Sequence, residues 1–189
     1  WTVMPRPDGS MLIFTYQTQA EYQFLDVDLN TTSGLSRIGP YGKRVVDAIS
    51  PGPLVVPPDQ TLQLNPPSDP GWVELDLLLQ QAARLPISMA VLSGLAASDR
   101  GLIALKGCPR LEALDLLSLP NNITSQGYKA IAGMAKLWDL SLTLGPGVDI
   151  AEFAPLKDFK QVRKLALRTP DLAGIPVALK GWTSLESLE

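Results

Sequence analysis

The sequence predicts an α/β chain in which short parallel strands alternate with helices or short helical turns, stacked as a solenoid behind a small β-rich N-terminal segment. Three observations predict it. The phrase L-x-x-L-x-L stands at 111–116 (LEALDL) and again at 137–142 (LWDLSL). Apolar residues hold the same first, fourth and sixth places in ISMAVL and VRKLAL, and LESLE opens a fifth copy; the starts are Ile87, Leu111, Leu137, Val162 and Leu185. Finally, SDRGLIALKGCPRL (98–111) and TSQGYKAIAGMAKL (124–137) align without a gap, 26 residues apart.

The elements follow in order. WTVMPRPDGSMLIFTYQ alternates apolar and polar residues around Pro-Asp-Gly, a hairpin signal, and EYQFLDVDLN is a third strand candidate before the turn-rich NTTSG. Residues 1–52 therefore read as a small antiparallel meander, and SPGPLVVPPDQ (50–60) as a stiff extended link. Residues 53–86 hold that link and a capping strand and helix. QTLQLN (60–65) is the strand, and GWVELDLLLQQAARLP (71–86) places Trp72, Leu75, Leu78, Leu79 and Ala82 on one helix face. Such a cap covers the open side of the first repeated strand. From 87 to 189 the repeated phrase takes over. Its fourth and sixth residues point one way and its fifth the other, so one strand cannot bury its own apolar side; stacked copies can. Ser98 and Thr124 suit helix N-caps, with Leu102/Leu105 and Tyr128/Ile131 at helical spacing. The returns AEFAPLKDFKQV and GIPVALKGWTSL are shorter and carry Pro155 and Pro176, which predicts single helical turns.

A strand phrase L-x-x-L-x-L followed by a Gly-bearing helix resembles the leucine-rich repeat. LPNNITSQGYKAIAGMAKLWDLSL is similar to the cysteine-containing subclass, whose units carry an I-T-x-x-G helix start. The resemblance spans residues 87–189 and implies a leucine-rich-repeat solenoid that binds a partner on the exposed side of its sheet. One departure stands out. The Asn or Cys that bonds the turn after each strand is replaced by Leu95, Leu119, Gly145 and Pro170, which predicts an irregular turn ladder.

Composition narrows the chemistry. With 46% hydrophobic and 19% charged residues the chain is built to fold, and a net charge of −3 without a dense Lys/Arg run disfavours a nucleic-acid partner. No apolar run approaches the ~20 residues that span a bilayer. Histidine is absent, which removes the commonest general base and metal ligand. The single cysteine, Cys108, permits no internal disulfide and suits a packing role. No phosphate-binding glycine motif occurs, and GPYGKR (39–44) reads as a turn before a helix-like RVVDAIS. Asp26 and Asp28 read as neighbours on a solvated strand side. Asp115 and Asp139 should lie near each other on the open sheet face, but such a face does little to desolvate a carboxylate. The expectation is no catalysis, no cofactor and no metal.

The outward places of the strands are where binding is expected. They carry Glu112, Asp115, Trp138, Asp139, Arg163, Lys164 and Arg168, as well as Ser88, Met89 and Val91. Trp138 stands at an outward position with no packing role in this register, and Trp is enriched at interface hot spots. Charge changes sign along the face, from Glu112, Asp115 and Asp139 to Arg163, Lys164 and Arg168, a gradient able to orient a protein partner. A protein-interaction module is the leading expectation. A scaffold piece of a longer array and the substrate-recognition part of a larger enzyme assembly are the alternatives. The final half-copy also predicts self-association through its open edge. The chain opens on Trp1, and the sequence assigns no compartment.

Overall fold

Short strands with apolar fourth and sixth residues are stable only when neighbours share the exposed edge, and a parallel stack supplies that on both sides. The computed structural model describes residues 2–5, 7–9, 11–14, 34–38, 44–45, 54–56, 58, 61–65, 75–93, 95, 97–117, 123–144, 154–157, 159–169 and 179–188. It is an α/β chain in which a six-strand parallel sheet alternates with helices. In chain order the parallel strands are β6 (Thr61–Asn65), β7 (Ile87–Val91), β8 (Ala113–Leu116), β9 (Asp139–Thr143), β10 (Lys164–Arg168) and β11 (Ser187–Leu188). They lie side by side in sequence order. Between them run α1 (Leu75–Ala82), α2 (Asp99–Leu105) and α3 (Ser125–Ala132).

The register makes the fourth residues of the phrases one continuous row. Leu64 pairs with Ala90, Ala90 with Leu114, Leu114 with Leu140, Leu140 with Leu165, and Leu165 with Leu188. All but the last are buried, and the first residues Ile87, Leu111, Leu137 and Val162 form a second buried row. At about 1.5–3 kcal/mol for each Leu side chain removed from water, these rows are the main stabilising element of the sheet. The third and fifth residues of each strand turn to the opposite face. Leu188 is 55% exposed at the end of the stack.

The antiparallel strands are shared between two sheets. β1 (Thr2–Pro5) and β2 (Met11–Phe14) form the expected hairpin, with Gly9 of the Pro-Asp-Gly turn at φ 81°. Part of the stretch expected as a stiff link is instead β5 (Leu54–Val56), an extended segment that finds a partner on the far side of β2. β3 (Gly34–Ile38) pairs with β6 and thereby covers the free edge of the parallel stack, and β4 (Arg44–Val45) pairs with β3. The helix-like RVVDAIS thus begins on a strand, because ladder pairing to β3 outweighs a weak helical pattern. EYQFLDVDLN lies outside the described residues. The return after β9 holds a single turn at 154–156 around Pro155; Pro176 lies outside the described residues.

The helices pack through a repeated polar joint. Ser98 caps α2 and Thr124 caps α3, each hydroxyl accepting the backbone N–H two residues on at 3.2 Å. Each cap also donates its hydroxyl proton backwards, Ser98 to Asp76 of α1 at 2.5 Å and Thr124 to Asp99 of α2 at 2.6 Å. The carboxylate sits in the first turn of the preceding helix, where it also complements the dipole. Gly101 and Gly127, the glycines of the aligned helices, face these carboxylates. A methyl group at Gly101 would lie 2.6 Å from Asp76 Oδ1 and 2.7 Å from Leu79 Cδ1.

On the other wall, Leu85, Cys108, Met134, Phe159 and Trp182 occupy equivalent buried places. Each donates its backbone N–H to the carbonyl three residues earlier, at 2.8–2.9 Å. Two of their side chains reach back into the preceding copy: the Cys108 thiol faces the Ala82 carbonyl at 3.8 Å, and the Trp182 indole N–H donates to the Leu156 carbonyl at 2.6 Å. Each of those carbonyls also accepts a backbone N–H, Ala82 from Leu85 and Leu156 from Phe159, so the side chain supplies a second donor. Phe159 and Trp182 meet edge to face at 5.7 Å.

Candidate binding face

The side of the sheet away from the helices carries the expected site residues in a grid fixed by strand register. Along the strand entrances, Trp138 N donates to Glu112 O at 3.0 Å, Arg163 N to Trp138 O at 2.8 Å, and Glu186 N to Arg163 O at 2.7 Å. Glu112, Trp138, Arg163 and Glu186 are therefore neighbours in one row. The next row runs Met89, Ala113, Asp139, Lys164 and Ser187, and the one beyond it Val91, Asp115, Ser141 and Ala166. Arg168 stands opposite Thr143 at the far end of β10. All seven expected residues share the face. Asp115 and Asp139 are diagonal neighbours on adjacent strands, as the spacing implied.

Trp138 is the centre of the charged part. Its indole N–H points to Glu112 Oε2 at 3.5 Å, and the Lys164 ammonium lies over its ring, 5.5 Å from the centroid. A cation over an indole face is attracted by the ring quadrupole, worth about 0.5–1 kcal/mol at an exposed site. Trp138 remains half-buried, while Glu112, Arg163, Lys164 and Arg168 are exposed. Arg163 Nε sits 3.9 Å from Glu186 Oε1. Sequence reading missed Glu186, because its copy of the phrase is incomplete. Asp115 Oδ1 accepts the Leu117 N–H at 2.9 Å, and Ser93 Oγ donates to the Leu117 carbonyl at 2.9 Å. These side chains bond the turn after β8, where the ninth-place Asn or Cys is absent.

The face is not open along its whole length. Ser88, expected outward and available, is 8% exposed, and so is Gln63 one strand earlier. The cause lies in the pairing of β6 with β7, which slips between Leu62 and Gln63 so that Ser88 bulges. Ser88 and Thr61 then share a hydroxyl hydrogen bond at 2.8 Å. No pattern in the sequence announces that slip. Met89 and Val91 of β7 are half-buried like Asp115 and Asp139, and the exposed charges among the expected residues are Glu112, Arg163, Lys164 and Arg168.

The Cys108 thiol lies on the opposite wall, and burial pushes its pKa from 9.0 to about 11. A thiol held protonated in this way is a weak nucleophile. Among the described residues no group of three or more Cys, Asp or Glu side chains is placed to hold a metal ion. Among the described residues no helix is long and apolar enough to cross a membrane. No protein-family model, curated protein or solved structure matches this chain.

Proposed function

We propose that the chain is a leucine-rich-repeat solenoid serving as a non-enzymatic protein-interaction module, with its partner seated on the outward face of β8, β9 and β10. The observation that carries the reading is Trp138. It is a large aromatic ring on the solvent side of a sheet, half-buried, with an acid at its N–H and a cation over its face. A rigid aromatic framed by charges is the composition of an interface hot spot, and an extended parallel-strand face offers the area such an interface needs.

Panning a displayed random-peptide library against the immobilised chain tests the primary reading. Trp138→Ala is expected to weaken the selected binders at least about tenfold while the melting midpoint moves by no more than about 3 °C. A large loss of stability instead makes Trp138 a packing residue and removes the site.

A further inference from the structure

We infer that the edge of the stack at which the chain enters its strands docks on an anionic lipid surface. Five returns lead into β7 to β11, at 83–86, 106–110, 133–136, 157–161 and 180–184. They carry Arg84 in the first, Lys106 and Arg110 in the second, Lys136 in the third, Lys157 and Lys160 in the fourth and Lys180 in the fifth. Their one acid is Asp158. The connections that leave β6 to β10, at 66–74, 92–98, 117–124, 144–153 and 169–178, are the reverse in sequence. They hold no Lys or Arg, and they hold Asp69, Glu74, Asp149, Glu152 and Asp171. A chain of net charge −3 thus keeps its cations for one kind of connection.

The fold gathers what the sequence scatters. The parallel strands lie side by side in chain order, so the returns stack along one edge. Neighbouring returns touch: the end of the Lys106 side chain lies over Gly133, Gln161 Nε2 donates to the Met134 carbonyl at 3.4 Å, and the Trp182 indole reaches Leu156. At the usual strand separation the row of five spans about 19 Å. Arg84, Lys106, Lys136, Lys157, Lys160 and Lys180 are exposed, and none of them has an ion pair among the described residues. Arg110 donates to the Pro58 carbonyl at 3.1 Å. A helix dipole accounts for Lys106, the C-cap of α2, but not for cations that stand beyond the helix ends. The strand entrances beside the row add Glu112, Arg163 and Glu186, which leaves eight cations to three acids.

A straight row of cations, most of them lysines on flexible stems, matches a planar field of mobile headgroups, at about fivefold in affinity for each cation near the surface. A nucleic acid fits less well. Single strands bind on exposed aromatic platforms, and the rings of these returns, Phe159 and Trp182, are buried in the core. Reading a duplex takes an element that enters a groove, and turns this short project none. The docked edge is distinct from the sheet face, which stays open to a protein partner.

The test is co-sedimentation with vesicles of phosphatidylcholine alone or with about 30% phosphatidylserine, at about 50 and 500 mM salt, with a labelled oligonucleotide as a second probe. The expected result is binding to the anionic vesicles only, lost at the higher salt. Lys157→Gln with Lys160→Gln weakens it about tenfold or more, and Lys157→Arg with Lys160→Arg restores it. Arg100→Gln with Lys129→Gln removes the same charge from α2 and α3 and changes it by no more than about twofold. Circular dichroism melting of each variant checks that the fold is kept. No preference for anionic vesicles at the lower salt overturns the inference. Equal weakening by the two glutamine pairs overturns it in favour of net charge alone. Oligonucleotide binding that is lost in Lys157→Gln with Lys160→Gln, without vesicle binding, overturns it in favour of a nucleic acid. Peptide capture through Trp138 does not enter this measurement, so either reading can fail alone.

Discussion

Replacing Gly101 with alanine tests the helix joint where two opposing effects meet. In a helix interior the exchange normally stabilises by about 0.8–1 kcal/mol, because glycine loses the most backbone freedom on folding. Here the new methyl group falls 2.6 Å from Asp76 Oδ1 and 2.7 Å from Leu79 Cδ1, both well inside contact distance. Leu79 is fully buried, and the other oxygen of Asp76 accepts the Ser98 hydroxyl at 2.5 Å, so neither neighbour moves freely. Forcing an extra methyl into such a site costs about 1–3 kcal/mol. Displacing Asp76 also weakens a charge-assisted cap bond worth up to about 1.5–3 kcal/mol, less here because the cap is partly exposed. After subtracting the propensity gain, the net loss is about 2 kcal/mol, or about 4–8 °C in melting midpoint for a chain of this size. Urea denaturation followed by circular dichroism at 222 nm measures it. Gly133→Ala is the control: the nearest atoms to its methyl would be the Cε, Nζ and Cδ of Lys106, the flexible end of a side chain. That variant is expected within about 0.5 kcal/mol of wild type. A Gly101→Ala chain as stable as wild type would refute the close approach of α1 and α2.

Three further outcomes follow from the same packing. Leu140→Ala, at a fully buried position between Leu114 and Leu165, should cost about 2–5 kcal/mol in urea melts, whereas Leu188→Ala at the exposed end of that row should cost little. Trp182→Phe keeps a ring against Phe159 but removes one of the two donors to the buried Leu156 carbonyl, which retains the Phe159 N–H, so a loss of about 0.5–1.5 kcal/mol is expected by the same measurement. For Cys108 the folded-state pKa is raised, so the protonated thiol is favoured on folding. Its contribution to stability is fully present below pH 9 and is lost as pH rises through about 11. Wild type should therefore lose stability over that window relative to Cys108→Ala, and iodoacetamide should label Cys108 at pH 8 only after urea is added.

The row of leucines was legible because strand periodicity and repeat spacing both act at short range. Leu111, Leu114 and Leu116 announce a phrase that Leu137, Leu140 and Leu142 repeat, and stacking is the arrangement that buries both. The caps Ser98 and Thr124 were legible for the same reason, since a cap bonds its own helix. Their second role, holding the preceding helix through Asp76 and Asp99, depends on residues 22 and 25 positions away and left no local mark. The equivalence of Cys108 with Met134, Phe159 and Trp182 was hidden by their different side chains, which share only a buried place and a backbone turn.

The candidate face divides along the same line. Alternation along each strand was enough to turn Asp115, Asp139 and Arg168 away from the core, because successive residues of a strand alternate sides whatever lies around them. Trp138 precedes β9 and lies outside that alternation. Which of those outward residues stay open depended on long-range pairing. The slip between β6 and β7 buries Ser88, and the turn after β8 occupies Asp115. Periodicity is a property of the backbone and is written in the chain. Accessibility belongs to contacts between distant segments, and only the folded arrangement decides it.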